Sequence, residues 1–167
     1  MLDDICPVQF IEGINEYAEA ANSYINTMNF SGVAIEYIPK LSYSLKRFDI
    51  FLTHQESPDG GKYKVAVCPD HNDSPGDIVL SKGEWVCNPV LGEWQEVELE
   101  KPVVVIRNKK YWLTIDLDKG NIGLPMAKEG DEYALRFRTH KTWITWDIAR
   151  TDKIMLRFYG RMMPIAI

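Results

Sequence analysis

Four oxygen-bearing side chains, Asp70, Asn72, Asp73 and Asp77, crowd the stretch P-D-H-N-D-S-P-G-D at 69–77. Carboxylates and amides close together on a flexible loop are what a hard cation such as calcium takes as ligands. Asp70-x-Asn72 begins like an EF-hand loop, but the fixed spacing and the closing Glu of that loop are absent. Asp and Asn also cap turns through their own backbone, helped here by Pro69, Pro75 and Gly76, and that is the simpler expectation. Cys68 and His71 stand at C-x-x-H spacing, with Cys87 placed to lie on an adjacent strand and His54 or Cys6 as a possible fourth ligand for zinc. Structural zinc sites usually bring two such pairs, and here there is one. A thiol nucleophile at Cys68 or Cys87 would need His54, His71 or His140 as its base, and no flanking residues resemble a protease or transferase motif. Glu96 and Glu98 share one strand face, which suits a solvated surface better than an acid and base flanking a bond. The sequence therefore shows no catalytic constellation, and the expectation is a protein that is not an enzyme.

The tryptophans speak more to binding. Trp94 and Trp112 lead or interrupt alternating runs and are expected in the core. In T-H-K-T-W-I-T-W-D (139–147), an extended chain would send Trp143 and Trp146 to opposite faces, so at most one is an easy core residue. An exposed indole beside His140, Lys141 and Asp147 could stack on a sugar face while the polar groups hold hydroxyls. Trp85, between Glu84 and Val86, is a second candidate. The competing expectation is that these rings fill the end of the fold.

The elements that must position these groups are mostly strands. L-K-R-F-D-I-F-L (45–52) alternates, with Leu45, Phe48, Ile50 and Leu52 as the inward set. G-V-A-I-E-Y-I-P (32–39) reads as a strand stopped by Pro39. Further strands are expected at 62–68, 78–86, 94–99 (with Trp94, Val97 and Leu99 inward), 103–107, 111–117, 133–138 and 154–160, making about nine short strands separated by turn residues. S-P-D-G-G (57–61) and the 69–77 stretch are turns. Over residues 1–30 the apolar positions Phe10, Ile14, Tyr17, Ala21, Tyr24, Ile25 and Met28 recur at helical spacing, which favours a helix at about 10–27, with an edge hairpin as the alternative. The fold class expected is an all-β, antiparallel two-sheet jelly-roll sandwich. No linker or repeat divides the chain, so residues 1–167 are expected to form a single domain with the 1–30 extension packed on it.

The chain has 167 residues, 46% of them hydrophobic, enough for a core without disulfide or metal staples. Its net charge is −5, and its basic residues are scattered, which argues against a nucleic-acid partner. No run approaches a membrane span. M-L-D-D-I-C-P lacks the basic start and apolar run of a signal peptide, which leaves an intracellular protein or one whose leader has been removed. The three cysteines cannot form a closed disulfide set. They read as reduced, mostly buried thiols, with one bridge still open to them. The apolar M-M-P-I-A-I (162–167) suggests docking against another subunit or the body of the domain.

Read in order, the strand at 32–39, the strand at 45–52, V-A-V-C-P-D-H-N-D-S-P-G-D (65–77), G-E-W-Q-E-V-E-L (92–99), K-P-V-V-V (101–105), K-K-Y-W-L-T-I-D-L (109–117), Trp143 and L-R-F-Y-G (156–160) form a pattern. Over residues 32–160 it resembles the galactose-binding-like jelly-roll modules found as accessory domains on secreted and surface proteins. The resemblance implies non-catalytic binding, commonly of carbohydrate, at a cell or particle surface. The alternative is a structural or assembly subunit, of a virion or surface layer, using its apolar termini for protein contacts and forming a homo-oligomer.

Overall fold

The computed structural model describes residues 6–14, 20–27, 30–52, 54–55, 62–87, 93–117, 122–139 and 148–163. The described residues contain strands and no helix. In chain order they are β1 (Gln9–Gly13), β2 (Ala20–Asn26), β3 (Gly32–Tyr37), β4 (Tyr43–Leu52), β5 (His54–Gln55), β6 (Lys62–Pro69), β7 (Ser81–Val86), β8 (Glu93–Val105), β9 (Tyr111–Asp116), β10 (Ile122–Ala127), β11 (Tyr133–Arg138), β12 (Ile148–Asp152) and β13 (Leu156–Met162).

One sheet runs β1-β13-β4-β8 and the other β12-β11-β3-β9-β6-β7, while β2, β10 and β5 form a short ribbon. The sheet pairings are antiparallel. Setting aside the ribbon and the β11–β12 hairpin, β1-β13-β4-β8 lies over β3-β9-β6-β7. Successive strands then change sheet at each step except from β6 to β7, which is the strand order of an eight-stranded jelly roll.

The two inner faces meet in one core. Val33 and Ile35 of β3, Leu113 and Ile115 of β9, and Val65 and Val67 of β6 pack against Phe48, Ile50, Leu52, Val97, Leu99, Leu156 and Phe158. On β4 the inward set changes phase between Leu45 and Phe48 because the ladders to β13 and β8 both slip there, a bulge that spends one extra residue. On β8 the slip is larger. Glu98 pairs Arg47 and Val103 pairs Leu45, so residues 99–102 bow out of the ladder with Pro102 among them. A proline that would break a regular central strand thus sits where no ladder bond is required. The two strands expected at 94–99 and 103–107 are one long strand bent at this point.

At the bow, β7 passes close against β8. Ser81 Oγ donates to the Lys101 carbonyl oxygen at 2.5 Å. At Gly83 a Cβ would lie 2.4 Å from the Glu98 carbonyl oxygen, so only glycine fits this crossing. Ile78, Val79 and Leu80, expected to begin this strand, precede it and are exposed.

The helix expected at about 10–27 does not form. Gln9–Gly13 is an edge strand on β13, and Ala20–Asn26 pairs with β10 in the ribbon, so the two segments belong to different sheets and are not a hairpin either. Apolar residues three and four apart mimicked a helical stripe where two short strands run in different places.

Candidate functional site

The outer face of the six-stranded sheet carries two polar rows set by cross-strand register. The first runs Arg138 (β11), Gly32 (β3), Asp116 (β9), Lys64 (β6) and Glu84 (β7). The second runs Arg136, Ala34, Thr114, Ala66 and Lys82 on the same strands. Gly32 leaves the first row without a side chain on β3. The Arg138 guanidinium lies over it, 3.0 Å from where a Cβ would stand, and reaches toward Asp116 at 3.7 Å. The small side chains of Ala66 and Thr114 leave a groove of about 220 Å³, bounded by Lys64, Lys82, Asp116, Arg138 and the exposed Val79. It presents ammonium, guanidinium, carboxylate and hydroxyl groups over an aliphatic floor.

The 69–77 segment folds back over the same face as a closed loop. Asp70 bridges Pro75, the His71 and Ser74 backbones bond one another, and Asn72 and Asp73 take positive φ of 51° and 66°. Short polar side chains of this kind tolerate that conformation better than most residues. The Asp70 carboxylate accepts from the Trp112 indole N–H at 2.8 Å. The Asp73 carboxylate accepts from Lys110 at 2.8 Å and from Arg136 at 2.7 Å. The Lys110 hydrogen bond comes first among the causes holding the Asp73 carboxyl below its ordinary range, and Arg136 adds to it. Asn72 and Asp77 are exposed. The four proposed calcium ligands thus share a loop whose central carboxylate is engaged by two cations. Among the described residues no group of three or more His, Cys, Asp or Glu is placed to hold a metal ion.

The thiols are unbridged. Cys68 pairs across the ladder with Trp112 and is buried, and burial pushes its thiol, like that of Cys87, up to about 11. His71 is exposed, with its ring beside the Asn72 amide. A thiol in this state is a poor nucleophile and a poor ligand at neutral pH.

Three of the five tryptophans, Trp85, Trp94 and Trp112, lie among the described residues. Trp85 is 2% exposed and packs on Tyr63 with ring centroids 5.3 Å apart, so its ring is core and is not available to stack on a ligand. Lys82, Glu84 and Val86 alternate outward on β7, which turns Trp85 inward. Trp112 is buried as expected, but on the outer face, under the Arg136 guanidinium at 5.2 Å and the 69–77 loop.

Trp94, expected to point inward, points outward, because Gln95, Val97 and Leu99 hold the inward positions of β8. The Arg157 guanidinium covers its ring at 3.9 Å and Phe51 meets it edge-on. On the same face, Asp49 is 2% exposed between Arg47 Nε at 3.0 Å and an Arg157 nitrogen at 3.4 Å. Burial is the largest influence on Asp49 and raises its carboxyl above the usual range against the pull of both arginines. His140, Lys141, Trp143, Trp146 and Asp147 lie outside the described residues. They follow Arg138 and Thr139 in the chain.

Of the groove residues, sequence reading singled out none. Lys64, Lys82, Thr114, Asp116 and Arg138 are unremarkable polar positions on alternating strands, and only the register brings them together. No protein-family model matches the chain, and no curated protein matches it significantly.

Proposed function

We propose that this protein is a non-catalytic binding module that takes carbohydrate on the outer face of its six-stranded sheet. The observation that carries the reading is the groove floored by Ala66 and Thr114, which Arg138 borders where it lies across Gly32 toward Asp116. Sugar hydroxyls need paired donors and acceptors at fixed spacing above a surface that excludes some water. A guanidinium on β11 and a carboxylate and a hydroxyl on β9, with β3 between the two strands, supply that set. The jelly-roll strand order supports the same reading at the level of architecture, and the sugar itself follows from the site rather than from the fold. Trp143 and Trp146, in the segment after Arg138, are the proposed stacking rings, with His140, Lys141 and Asp147 as hydroxyl partners.

The test is a glycan-array screen with and without calcium, followed by Trp fluorescence on any hit. Selective binding that Thr114→Val, Trp143→Ala or Trp146→Ala weakens at unchanged melting temperature supports the proposal. Silence across the array refutes it.

A second reading rests on a separate observation. Ile38, Leu41, Val104 and Ile106 are each 43–49% exposed. They come together because the Arg107 N–H donates to Ser42 Oγ and the Asn108 N–H to the Pro39 carbonyl oxygen. An apolar patch of this kind supports a protein–protein contact in an assembly subunit. Sedimentation equilibrium distinguishes the two, since this reading requires a stable oligomer that Ile106→Lys dissociates.

A further inference from the structure

The groove around Thr114 also carries charge of a sign opposite to the chain's. Three cations, Lys64, Lys82 and Arg138, line it against one carboxylate, Asp116, in a protein of net charge −5. Arg138 already faces Asp116 at 3.7 Å. The other acid beside Lys64 is Glu84, and it is held by Lys62 at 2.8 Å. That leaves the two lysines. Lys64 and Lys82 are exposed, on adjacent strands; Lys64 faces Glu84 across the ladder and helps to hold its carboxyl below the ordinary range, but the hydrogen bond from Lys62 is the larger cause, and Lys82 faces Ala66. Several basic side chains elsewhere are matched: Lys46 to Glu98, Arg47 to Asp49, Lys110 to Asp73 and Glu36, and Arg136 to Asp73.

We propose that the groove selects an anionic sugar unit, a uronate or sulfated residue. Its acidic group would be held by Lys64 and Lys82, and its ring hydroxyls by Thr114 and Asp116. The inference rests on the carbohydrate reading above and sharpens it. Two ammonium groups on neighbouring strands form a clamp for one acidic substituent, because charge-assisted hydrogen bonds to an oxyanion are the stronger kind. Asp116, at the other side, disfavours a second acidic group, so the site suits one charged unit in a chain and not a uniformly charged polyanion.

The test is a glycan array carrying neutral, uronate-bearing, sialylated and sulfated oligosaccharides, followed by calorimetry on the best binder with the Lys64→Gln/Lys82→Gln double variant. Both lysines are exposed, so the variant keeps its melting temperature, and Lys101→Gln/Lys109→Gln, at two exposed lysines outside the groove, serves as a charge-matched control. The expected result is retention of acidic glycans only, at least tenfold weaker in the double variant and unchanged in the control. Raising salt from low to molar concentration weakens the wild type more than the variant. Acidic glycans that bind the double variant as well as the wild type overturn the clamp. Binding of neutral glycans alone overturns the anionic selectivity and leaves the carbohydrate reading standing, while no binding on any arm removes both.

Discussion

Two glycines, changed in the same way, should fail in different ways. At Gly83 the added methyl carbon of an alanine would stand 2.4 Å from the Glu98 carbonyl oxygen, with Glu98 C and Leu99 Cα each at 3.5 Å. Relaxed carbon–oxygen contacts sit near 3.3 Å or beyond, so β7 and β8 must part by roughly 0.9 Å. Both partners are main chain, and each is tied into a ladder with another strand, so the gap has no side chain to absorb it. Overpacking of this kind costs about 1–3 kcal/mol, which in a chain of this size lowers the melting temperature by roughly 2–12 °C. At Gly32 the methyl would meet the far end of Arg138, at 3.0–3.2 Å, and a long side chain swings aside cheaply. Gly32→Ala should therefore cost under about 1 kcal/mol yet displace the guanidinium from Asp116 and weaken ligand binding. Differential scanning calorimetry of the two variants, with glycan titration of the second, checks the pair. A Gly83→Ala protein that melts within a degree of wild type would refute the tight crossing of β7 over β8.

Asp49 has its native value raised by burial, so it holds its proton more tightly folded than unfolded. Its contribution is fully present below the ordinary carboxylate range and is lost as pH rises through the raised value. The stability of wild type relative to Asp49→Asn should therefore fall as pH rises above the ordinary carboxylate range in urea titrations, and an advantage that grows with pH contradicts this. Asp73 runs the other way: its value is lowered, so what it contributes is present above the ordinary range and lost as pH falls through the lowered one. Because Asp73 is 60% exposed, Asp73→Asn should cost under about 1 kcal/mol, while amide exchange across 70–77 accelerates. Mass spectrometry of deuterium uptake measures both parts. With thiols pushed to about 11 and buried, Cys68 and Cys87 should react with a disulfide reagent at pH 8 only after unfolding, leaving the half-buried Cys6 as the one accessible thiol.

The alternation of β4 was legible down to its inward residues, because a strand buried on one face must write its burial into every second position. The bulge was hidden, since a slip of one residue leaves composition unchanged. Trp94 misled for a related reason. An aromatic at the head of an alternating run reads as core, but Gln95 takes the inward place, and the outward indole is covered by an arginine from β13 that no local pattern connects to it. Helical spacing over 10–27 misled because the segment is two short pieces whose partners lie at β13 and β10, far along the chain. The groove was illegible for the most general reason. Its residues come from β6, β7, β9 and β11, and each is ordinary until the ladders set them side by side.

The placement of β4 between β13 and β8 also bears on how the protein is made. Asp49 waits for Arg157, 108 positions later, to complete its ion pair, and the inner flank of β4 has no partner until β13 emerges. During synthesis that flank is an open template carrying Phe48, Ile50 and Leu52 beside it, able to capture a strand from a neighbouring nascent chain. Folding must therefore be late and slow, dominated by long loop closures. Yield in a cell should respond more to translation rate and chaperone supply than to the stability of the finished sandwich.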